Sequence, residues 1–250
     1  MENVKRLQEI IDRAEAIVFF GGAGVSTESG IPDFRSADGL YNQKYDYPPE
    51  EILSRAFFNT RRAEFFRFYR DRVLAPHAKP NAAHLKLAEL EEEGKLKAVI
   101  TQNIDGLHQA AGSRNVIELH GSVHRNLCVM CGRRFDVEMV KSAPGVPTCH
   151  CGGAVKPDVV LYGETLDQEV LSRAIGAIMS ADVLIIGGTS LAVYPAAGLV
   201  DYFRGAQLVV INRTPLGSQR ADLNIQGSIG EVLGGIEVRG AQRGQADQGA

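Results

Sequence analysis

The stretch Ala16-Ile-Val-Phe-Phe-Gly-Gly-Ala-Gly-Val-Ser26 points most directly to a fold class. Its first five residues are an unbroken apolar run, which predicts a buried strand, and the helical spacing of apolar residues over 4–16 predicts a helix before it. In a doubly wound sheet, the glycine turn that follows such a strand holds dinucleotide phosphates, because glycine lets the backbone approach a pyrophosphate. An ordinary strand-to-helix turn is the alternative, since the pattern is short.

Apolar runs farther along the chain indicate more strands of the same kind. They lie at 97–101, 116–119, 183–186 and 208–211. Helical patterns separate several of them and lie at 81–93, 167–179 and 194–204. Strands that alternate with helices are typical of an α/β protein, so we predict a doubly wound, Rossmann-like parallel sheet.

Two stretches interrupt this alternation. The first, 37–75, carries aromatic residues at helical spacing, and the second, 121–156, contains the cysteines. We predict that they form a smaller inserted lobe, with 37–75 as a helical insertion and 121–156 as a metal-binding module. Residues 240–250 lack an apolar period and are predicted to be a disordered tail. The dinucleotide-binding core is then expected at 1–36, 76–120 and 157–239.

Length, composition and charge narrow the function classes. A chain of 250 residues fits one large domain or one domain with a small insert. No apolar run approaches the roughly 18 residues of a membrane span, and the N-terminus lacks an apolar signal core, so we expect no membrane segment and a cytoplasmic protein. The net charge of -3 disfavours nucleic acid as the main ligand.

The four cysteines fall into two close pairs, Cys128-Val-Met-Cys131 and Cys149-His-Cys151. This spacing approximates the two-knuckle pattern of a structural zinc site, and a reducing compartment disfavours a disulfide. Four thiolates would leave no open position for water, so the zinc is expected to hold structure rather than catalyse. The second pair is one residue tighter than usual, which leaves His150 as an alternative ligand. A zinc ribbon that binds nucleic acid is a second alternative, since basic residues lie nearby.

The glycine turn continues into a longer signature. The dehydrogenase pattern is incomplete, because Thr27 occupies the place of its third glycine, and this disfavours hydride transfer. From Gly22-Ala-Gly-Val-Ser26 through Gly30-Ile-Pro-Asp-Phe-Arg35, the chain instead resembles the sirtuin family, whose loop here closes over bound NAD. The resemblance runs from about residue 5 to 235. It implies NAD contacts at Ala23, Thr27, Phe34 and Arg35, although Phe34 taken alone would be read as ordinary packing.

A second signature, Thr101-Gln-Asn-Ile-Asp-Gly-Leu-His108, follows the predicted strand at 97–101. By itself Asn-Ile-Asp would be read as a turn or a helix cap. By resemblance, Gln102 and the catalytic Asn103 contact the nicotinamide ribose, and Ile104 and Asp105 contact the nicotinamide.

The family's general base corresponds to His120 in Glu118-Leu-His-Gly121. A histidine, with an ordinary pKa of about 6.5, can accept a proton near neutral pH. His108 and His124 are the nearest rival histidines, and the resemblance also places His120 among the NAD contacts.

Loops after the later strands resemble the family's adenosine and peptide sites. The adenosine-side loops are Gly187-Gly-Thr-Ser190 and the end of Val209-Val-Ile-Asn212, although Ser190 could simply cap a tight turn. The implied adenosine contacts are Gly188, Thr189, Ser190, Asn212 and Ile229. Lys156 to Glu164 resembles the segment that pairs with the substrate peptide, a mode with little sequence discrimination. The implied peptide contacts are Val159, Val160, Tyr162, Gly163, Glu164 and Val193.

One departure from the family concerns the acyl group. Members that prefer succinyl or malonyl lysine carry a Tyr-x-x-Arg pair in the helical insertion. Here Phe66 and Tyr69 occupy those two positions. An acidic acyl group loses its cationic partner, so acetyl or longer uncharged chains are expected to be favoured.

The resemblance implies an NAD-dependent protein-lysine deacetylase that acts on acetyl-lysine proteins or peptides. In that reaction the acyl oxygen attacks the ribose as nicotinamide leaves, and His120 deprotonates a ribose hydroxyl. The products are free lysine, nicotinamide and acylated ADP-ribose. Transfer of ADP-ribose to protein is one alternative, and a non-enzymatic NAD-sensing module is another.

Overall fold

The centre of the protein is a parallel sheet of six strands, within the residues that the structure describes. That structure, a computed structural model, describes residues 2–33, 39, 45–216 and 221–238, so Phe34, Arg35 and the predicted tail lie outside the described residues. The strands in the described residues are β1 Ile17–Gly21, β2 Leu96–Thr101, β3 Val116–Glu118, β4 Gly121–Cys128, β5 Arg134–Phe135, β6 Val155–Val159, β7 Val183–Gly187, β8 Gln207–Asn212 and β9 Leu223–Gln226.

Helices and short helical turns connect these strands. The helices are α1 Glu2–Arg13, α2 Pro49–Ile52, α3 Arg55–Thr60, α4 Arg62–Phe68, α5 Ala82–Glu92, α6 Leu107–Ala110, α7 Val137–Ser142, α8 Gln168–Ser180 and α9 Ile229–Gly234. The turns are the 3-10 segments Ala23–Val25, Thr27–Ser29 and Ala196–Tyr202 and the π-helical segment Tyr69–Val73. In the described residues no helix is both long and apolar enough to cross a bilayer.

Both faces of the large sheet are covered, because successive side chains of a strand point to opposite sides. On β1, Ile17 and Phe19 pack with α1, α5 and α9. Val18 and Phe20 point to the other face and pack with α8 and the 3-10 segment Ala196–Tyr202. The predicted doubly wound α/β fold is thus confirmed. The predicted helical pattern at 194–204 forms a 3-10 segment instead of an α-helix, and it contains the weak helix formers Gly198 and Val200.

The strand order reverses between β1 and β7. Strands β2 and β3 extend the sheet on one side of β1, and β7, β8 and β9 extend it on the other. At such a reversal the loops at the carboxyl ends diverge and leave a crevice where ligands bind.

The smaller lobe contains an antiparallel sheet in the order β5-β4-β6. Strand β6 runs across the boundary expected at 156/157, because it pairs with β4 as far as Val159 opposite Gly121. The finer division into core, helical insertion and metal-binding module stays a prediction.

The aromatic residues of the insertion form a core rather than a surface. Phe57 and Phe58 of α3 and Phe65 and Phe66 of α4 are all buried, and three of their ring pairs meet edge to face. The cluster includes Val123 of β4, so the insertion packs directly on the small-lobe sheet.

Candidate active site

A cavity of about 1440 Å³ opens at the carboxyl ends of β1, β2 and β7. Its volume exceeds the roughly 300–1000 Å³ of an ordinary small-molecule pocket and leaves room for a dinucleotide together with a peptide side chain. Every described residue that we predicted for the cofactor or peptide site lines it: Ala23, Thr27, Gln102, Asn103, Ile104, Asp105, His120, Gly188, Thr189, Ser190, Asn212, Ile229, Val159, Val160, Tyr162, Gly163, Glu164 and Val193.

The glycine turn after β1 contacts the loop after β7 backbone to backbone. Gly24 N donates to Gly188 O at 2.8 Å, and a Cβ on Gly24 would lie 2.8 Å from Gly188 Cα. Gly188 also has a φ of 58°, which side chains rarely adopt. The two loops therefore need glycine at both positions to meet at the crevice.

Asn212, at the end of β8, holds the loop after β7 in place. Its Oδ1 accepts from Thr189 N at 3.1 Å, and its Nδ2 donates to Thr189 O at 2.5 Å. Gln102 Nε2 donates to Thr189 Oγ1 at 3.0 Å and so joins the loop after β2 to the same point. Asn212, predicted as a cofactor contact, thus satisfies both buried backbone groups of Thr189.

Ser26 connects the first two signatures. Its hydroxyl donates to Asp105 Oδ2 at 2.6 Å and accepts from Asn103 Nδ2 at 3.0 Å. Asp105 Oδ1 accepts from Leu107 N at 2.9 Å, so both of its carboxylate oxygens are bonded. Our sequence reasoning did not single out Ser26, although its place directly after the glycine turn was a usable signal.

His120 lies half-buried on the cavity wall. Its Nδ1 is 2.8 Å from Gln102 O, and because a carbonyl only accepts, Nδ1 carries the proton and Nε2 keeps its lone pair. Burial lowers the pKa of His120, and the bond to Gln102 opposes part of that shift. A neutral imidazole with a free Nε2 is a competent base.

The two rival histidines occupy other environments. His108 is 1% exposed and packs between Phe19 and His84, and burial lowers its pKa to about 3. His124 is exposed and lines the cavity, but its Nε2 lies 3.0 Å from Asp105 O. Neither histidine lies directly after β3, where His120 is placed.

The predicted peptide segment includes most of β6 and the loop after it, and it contacts His120 directly, because Val160 N donates to His120 O at 3.0 Å. Tyr162 differs from expectation: its N–H and C=O pair with Leu53 and Arg55 of the insertion. A peptide can therefore reach Tyr162 through its side chain, which is 43% exposed, more readily than through its backbone.

Glu28 was also missed and has no local signal in the sequence. Its carboxylate accepts from Gly230 N at 2.6 Å and from the Ser228 hydroxyl. These bonds attach the Thr27–Ser29 turn to the start of α9, so that Thr27 and Ile229 face the same cavity.

The four cysteines form one cluster in the small lobe, and their sulfurs all lie within 4.8 Å of one another. Sγ of Cys128 is 3.4 Å from that of Cys151, and Sγ of Cys131 is 3.8 Å from that of Cys149. Tetrahedral zinc with bonds of about 2.3 Å places its sulfurs about 3.8 Å apart, so the cluster fits zinc. His150 is outside this cluster.

The thiols also influence one another's ionisation. The Cys131 N–H contributes most to lowering the pKa of Cys128, to about 6. The Gly153 N–H lowers the pKa of Cys151, but neighbouring Cys128 and Cys131 outweigh it and raise that pKa to about 12. Adjacent thiols resist becoming thiolates together unless a metal compensates their charge.

Comparison with known proteins places this site in a family. The Sir2 family model matches residues 22–195. A Clostridium perfringens NAD-dependent protein deacetylase is 58% identical over 240 residues, which cover 94% of this chain and 98% of the relative.

Solved structures agree with this match. A Sir2 homologue in complex with NAD has a TM-score of 0.82 and 42% identity, over 92% of this chain and 91% of its own. A Sir2 histidine-to-alanine mutant with a deacetylated p53 peptide and 3'-O-acetyl-ADP-ribose has a TM-score of 0.83 and 39% identity, over 92% and 95%. This chain therefore belongs to the Sir2 family, the sirtuins.

Proposed function

We propose that this protein is an NAD-dependent protein-lysine deacetylase, which moves an acetyl group from lysine to ADP-ribose and releases nicotinamide. The observation that carries the proposal is the position of His120, a neutral base on the wall of a dinucleotide-sized cavity, next to the Gln102–Asp105 loop. Close relatives bear the name NAD-dependent protein deacetylase.

The cavity has a phosphate end and a reacting end. We assign the phosphates to the glycine turn, where closely packed glycines expose backbone N–H groups, and the adenosine to Gly188, Thr189, Ser190, Asn212 and Ile229. Gln102 and Asn103 hold the ribose, and Asp105, fixed by Ser26, accepts from the carboxamide. When bound, NAD supplies the ribose carbon that accepts the acyl oxygen and the nicotinamide that leaves.

His120 acts as the general base. The Gln102 carbonyl holds its Nδ1 proton, so the ring keeps one orientation and turns Nε2 to the reaction. His120 takes the proton of a ribose hydroxyl at Nε2. A base is needed for this step because a hydroxyl does not lose its proton unaided at neutral pH.

The acetyl-lysine peptide enters beside β6. Val159 and Val160 lie on the cavity wall next to His120, and Gly163, Glu164 and Val193 border the same opening. The solved Sir2 complex with a deacetylated p53 peptide supports a peptide in this kind of site. Glu164 is ion-paired to Lys156 at 3.0 Å, which stabilises the segment on which the proposed peptide contacts lie.

A product assay tests the proposal. The purified protein is incubated with NAD and an acetyl-lysine peptide. The products nicotinamide, deacetylated peptide and acetyl-ADP-ribose are then quantified by mass spectrometry. We expect the three products in equal amounts. With NAD labelled in its ADP-ribose part, label on protein would instead support ADP-ribosyl transfer, and NAD binding without turnover would support the sensing module.

We expect activity to fall on the acid side at a lower pH than the ordinary pKa of a histidine would give. Burial lowers the pKa of His120, so the neutral form that accepts a proton persists below about pH 6.5. Activity should then decline as the pH falls through the lowered pKa. The measurement is kcat/KM for acetyl peptide from about pH 5 upward, and an acid limb centred above about pH 6.5 would contradict the assignment.

Acetyl peptide should be processed about ten- to a hundredfold better than the matching succinyl peptide, because a succinyl carboxylate finds Tyr69 where related enzymes offer arginine. Arg72 and Lys141 also line the cavity but are ion-paired to Asp71 and Glu138. The double variant Phe66→Tyr with Tyr69→Arg should have a smaller difference in kcat/KM between the acetyl and succinyl peptides. Equal or better succinyl turnover by the wild type would refute this.

We also propose that the protein works in the cytoplasm. Its four clustered thiols must stay reduced to hold zinc, and the cytoplasm maintains thiols in that state. Fractionation of the source cells with an antibody to the chain tests the location, and recovery outside the cytoplasmic fraction would contradict it.

A further inference from the structure

Arg213 follows Asn212 at the carboxyl end of β8 and lines the cavity. Its carbonyl accepts from Gln226 Nε2 at 3.1 Å, and the carbonyl of Asn212 accepts from Gly227 N at 2.9 Å. These bonds join the end of β8 to the end of β9, so the backbone that carries the Arg213 side chain is held in place.

The guanidinium of Arg213 is available to a ligand. Arg213 is exposed, and its side chain has no hydrogen-bond or ion-pair partner among the described residues. The other described arginine and lysine on the cavity wall, Arg72 and Lys141, are each ion-paired to a nearby carboxylate. Within the described part of the chain, Arg213 is thus the cation of this wall that can pair with a bound anion.

No carboxylate among the described residues of the cavity lies at this strand end. Those carboxylates follow β1 and β2, lie on α7 or follow β6, and belong to Asp33, Asp105, Glu138 and Glu164. The residue after Arg213 is Thr214, whose neutral side chain carries a hydroxyl and which also lines the cavity. An anion bound at the end of β8 therefore meets a cation and a hydrogen-bond donor.

Strand β8 occupies the place of the strand that meets the adenosine ribose in a dinucleotide site. It lies parallel to β7, and Asn212 comes 23 positions after Thr189 of the glycine loop that follows β7. In such a strand-helix-strand unit, the residue that meets the ribose lies about 20 positions after the glycine loop. An acidic residue there bonds the 2'-hydroxyl of NAD, whereas a nearby arginine accommodates the 2'-phosphate of NADP. Residues 212–214 include the arginine and no acidic residue.

We propose that this cavity also binds dinucleotides that carry a phosphate on the 2'-oxygen of the adenosine ribose, the NADP class, and that Arg213 binds the phosphate. A guanidinium can hold a phosphate through two parallel N–H bonds, and the hydroxyl of Thr214 can add a third bond. The inference rests on the dinucleotide site of the proposed function and adds a second class of dinucleotide to it. It concerns binding alone and adds no chemical step to the reaction.

The test is isothermal titration with ADP-ribose and with ADP-ribose that carries the adenosine 2'-phosphate. Neither ligand contains nicotinamide, so neither can react. The wild type should bind the 2'-phosphorylated ligand at least as tightly as ADP-ribose. Arg213→Gln should weaken binding of the 2'-phosphorylated ligand by about tenfold more than binding of ADP-ribose. This is the lower end of the range for a charged hydrogen bond, because Arg213 is exposed.

Arg173→Gln is the matched control, since Arg173 of α8 is exposed, lies outside the cavity and loses the same charge. It should leave the ratio of the two Kd values unchanged, and an effect equal to that of Arg213→Gln would overturn the proposal, because net charge would then be the cause. Weaker binding of the 2'-phosphorylated ligand than of ADP-ribose by the wild type would also overturn it, as would an equal ratio in the wild type and Arg213→Gln. A wild type that binds neither ligand would instead refute the assignment of the cavity to a dinucleotide, which is a separate result.

Discussion

Replacing His120 with alanine is expected to lower kcat for deacetylation by about 10²–10⁴-fold or more, which is the usual contribution of a general base. The reason is that neither nearby histidine can replace His120 as the base. His108 is buried in the core, and Nε2 of His124 lies against Asp105 O. Steady-state kinetics with acetyl peptide and NAD measures the effect.

NAD binding should survive this change. The glycine turn, the Ser26–Asp105 bond and the Asn212–Thr189 bonds do not involve the His120 ring, so the dinucleotide site stays assembled. Titration of NAD against the variant checks this, and an unchanged melting temperature excludes misfolding. His77→Ala serves as the control, because His77 is exposed and outside the cavity. Near-wild-type turnover by folded His120→Ala protein would exclude the base assignment.

Features with a local cause could be predicted from the sequence. The buried strand β1 and its glycine turn are adjacent in the chain, and the spacing of Cys128 and Cys131 directly reflects the geometry of a metal knuckle. The aromatic spacing of the insertion likewise predicted helices, and α3 and α4 form there with their phenylalanines buried.

Features that depend on distant partners could not be predicted. Glu28 bonds Gly230, 202 positions away, and nothing near either residue indicates the pairing. Asn212 illustrates a mixed case: its place at a strand end indicated a site residue, but only tertiary structure shows its amide occupied by the backbone of Thr189. The pairing of Tyr162 with Leu53 and Arg55 was hidden for the same reason.

Short elements were also missed. Strand β9 is four residues long, so its alternating pattern is too brief to identify from the sequence. The π-helical turn at Tyr69–Val73 looks like the continuation of α4 in the sequence, because one extra residue in a turn leaves no signal in the apolar spacing.

The same two strands, β4 and β6, connect the cysteine cluster with His120. Strand β4 begins at Gly121, directly after His120, and ends at Cys128, while β6 pairs along it from Val155 to Val159. Cys128 and Cys149 are buried against Val155 in a small cluster of their own. This cluster has few apolar residues, so the metal must supply much of its stability.

Cys128→Ser should therefore release zinc and lower the melting temperature by about 5 °C or more, because metal binding and folding of a small module are coupled. Loosening the ends of β4 and β6 should also lower activity, since Val160 N bonds His120 O immediately beyond β6. Metal analysis, thermal unfolding and acetyl-peptide turnover measure the three effects. Met130→Ser is the control, because Met130 is 69% exposed in the same knuckle and its side chain is outside the cysteine cluster, so zinc should be retained. A wild type without zinc, or a Cys128→Ser variant with the full melting temperature, would rule out a structural metal.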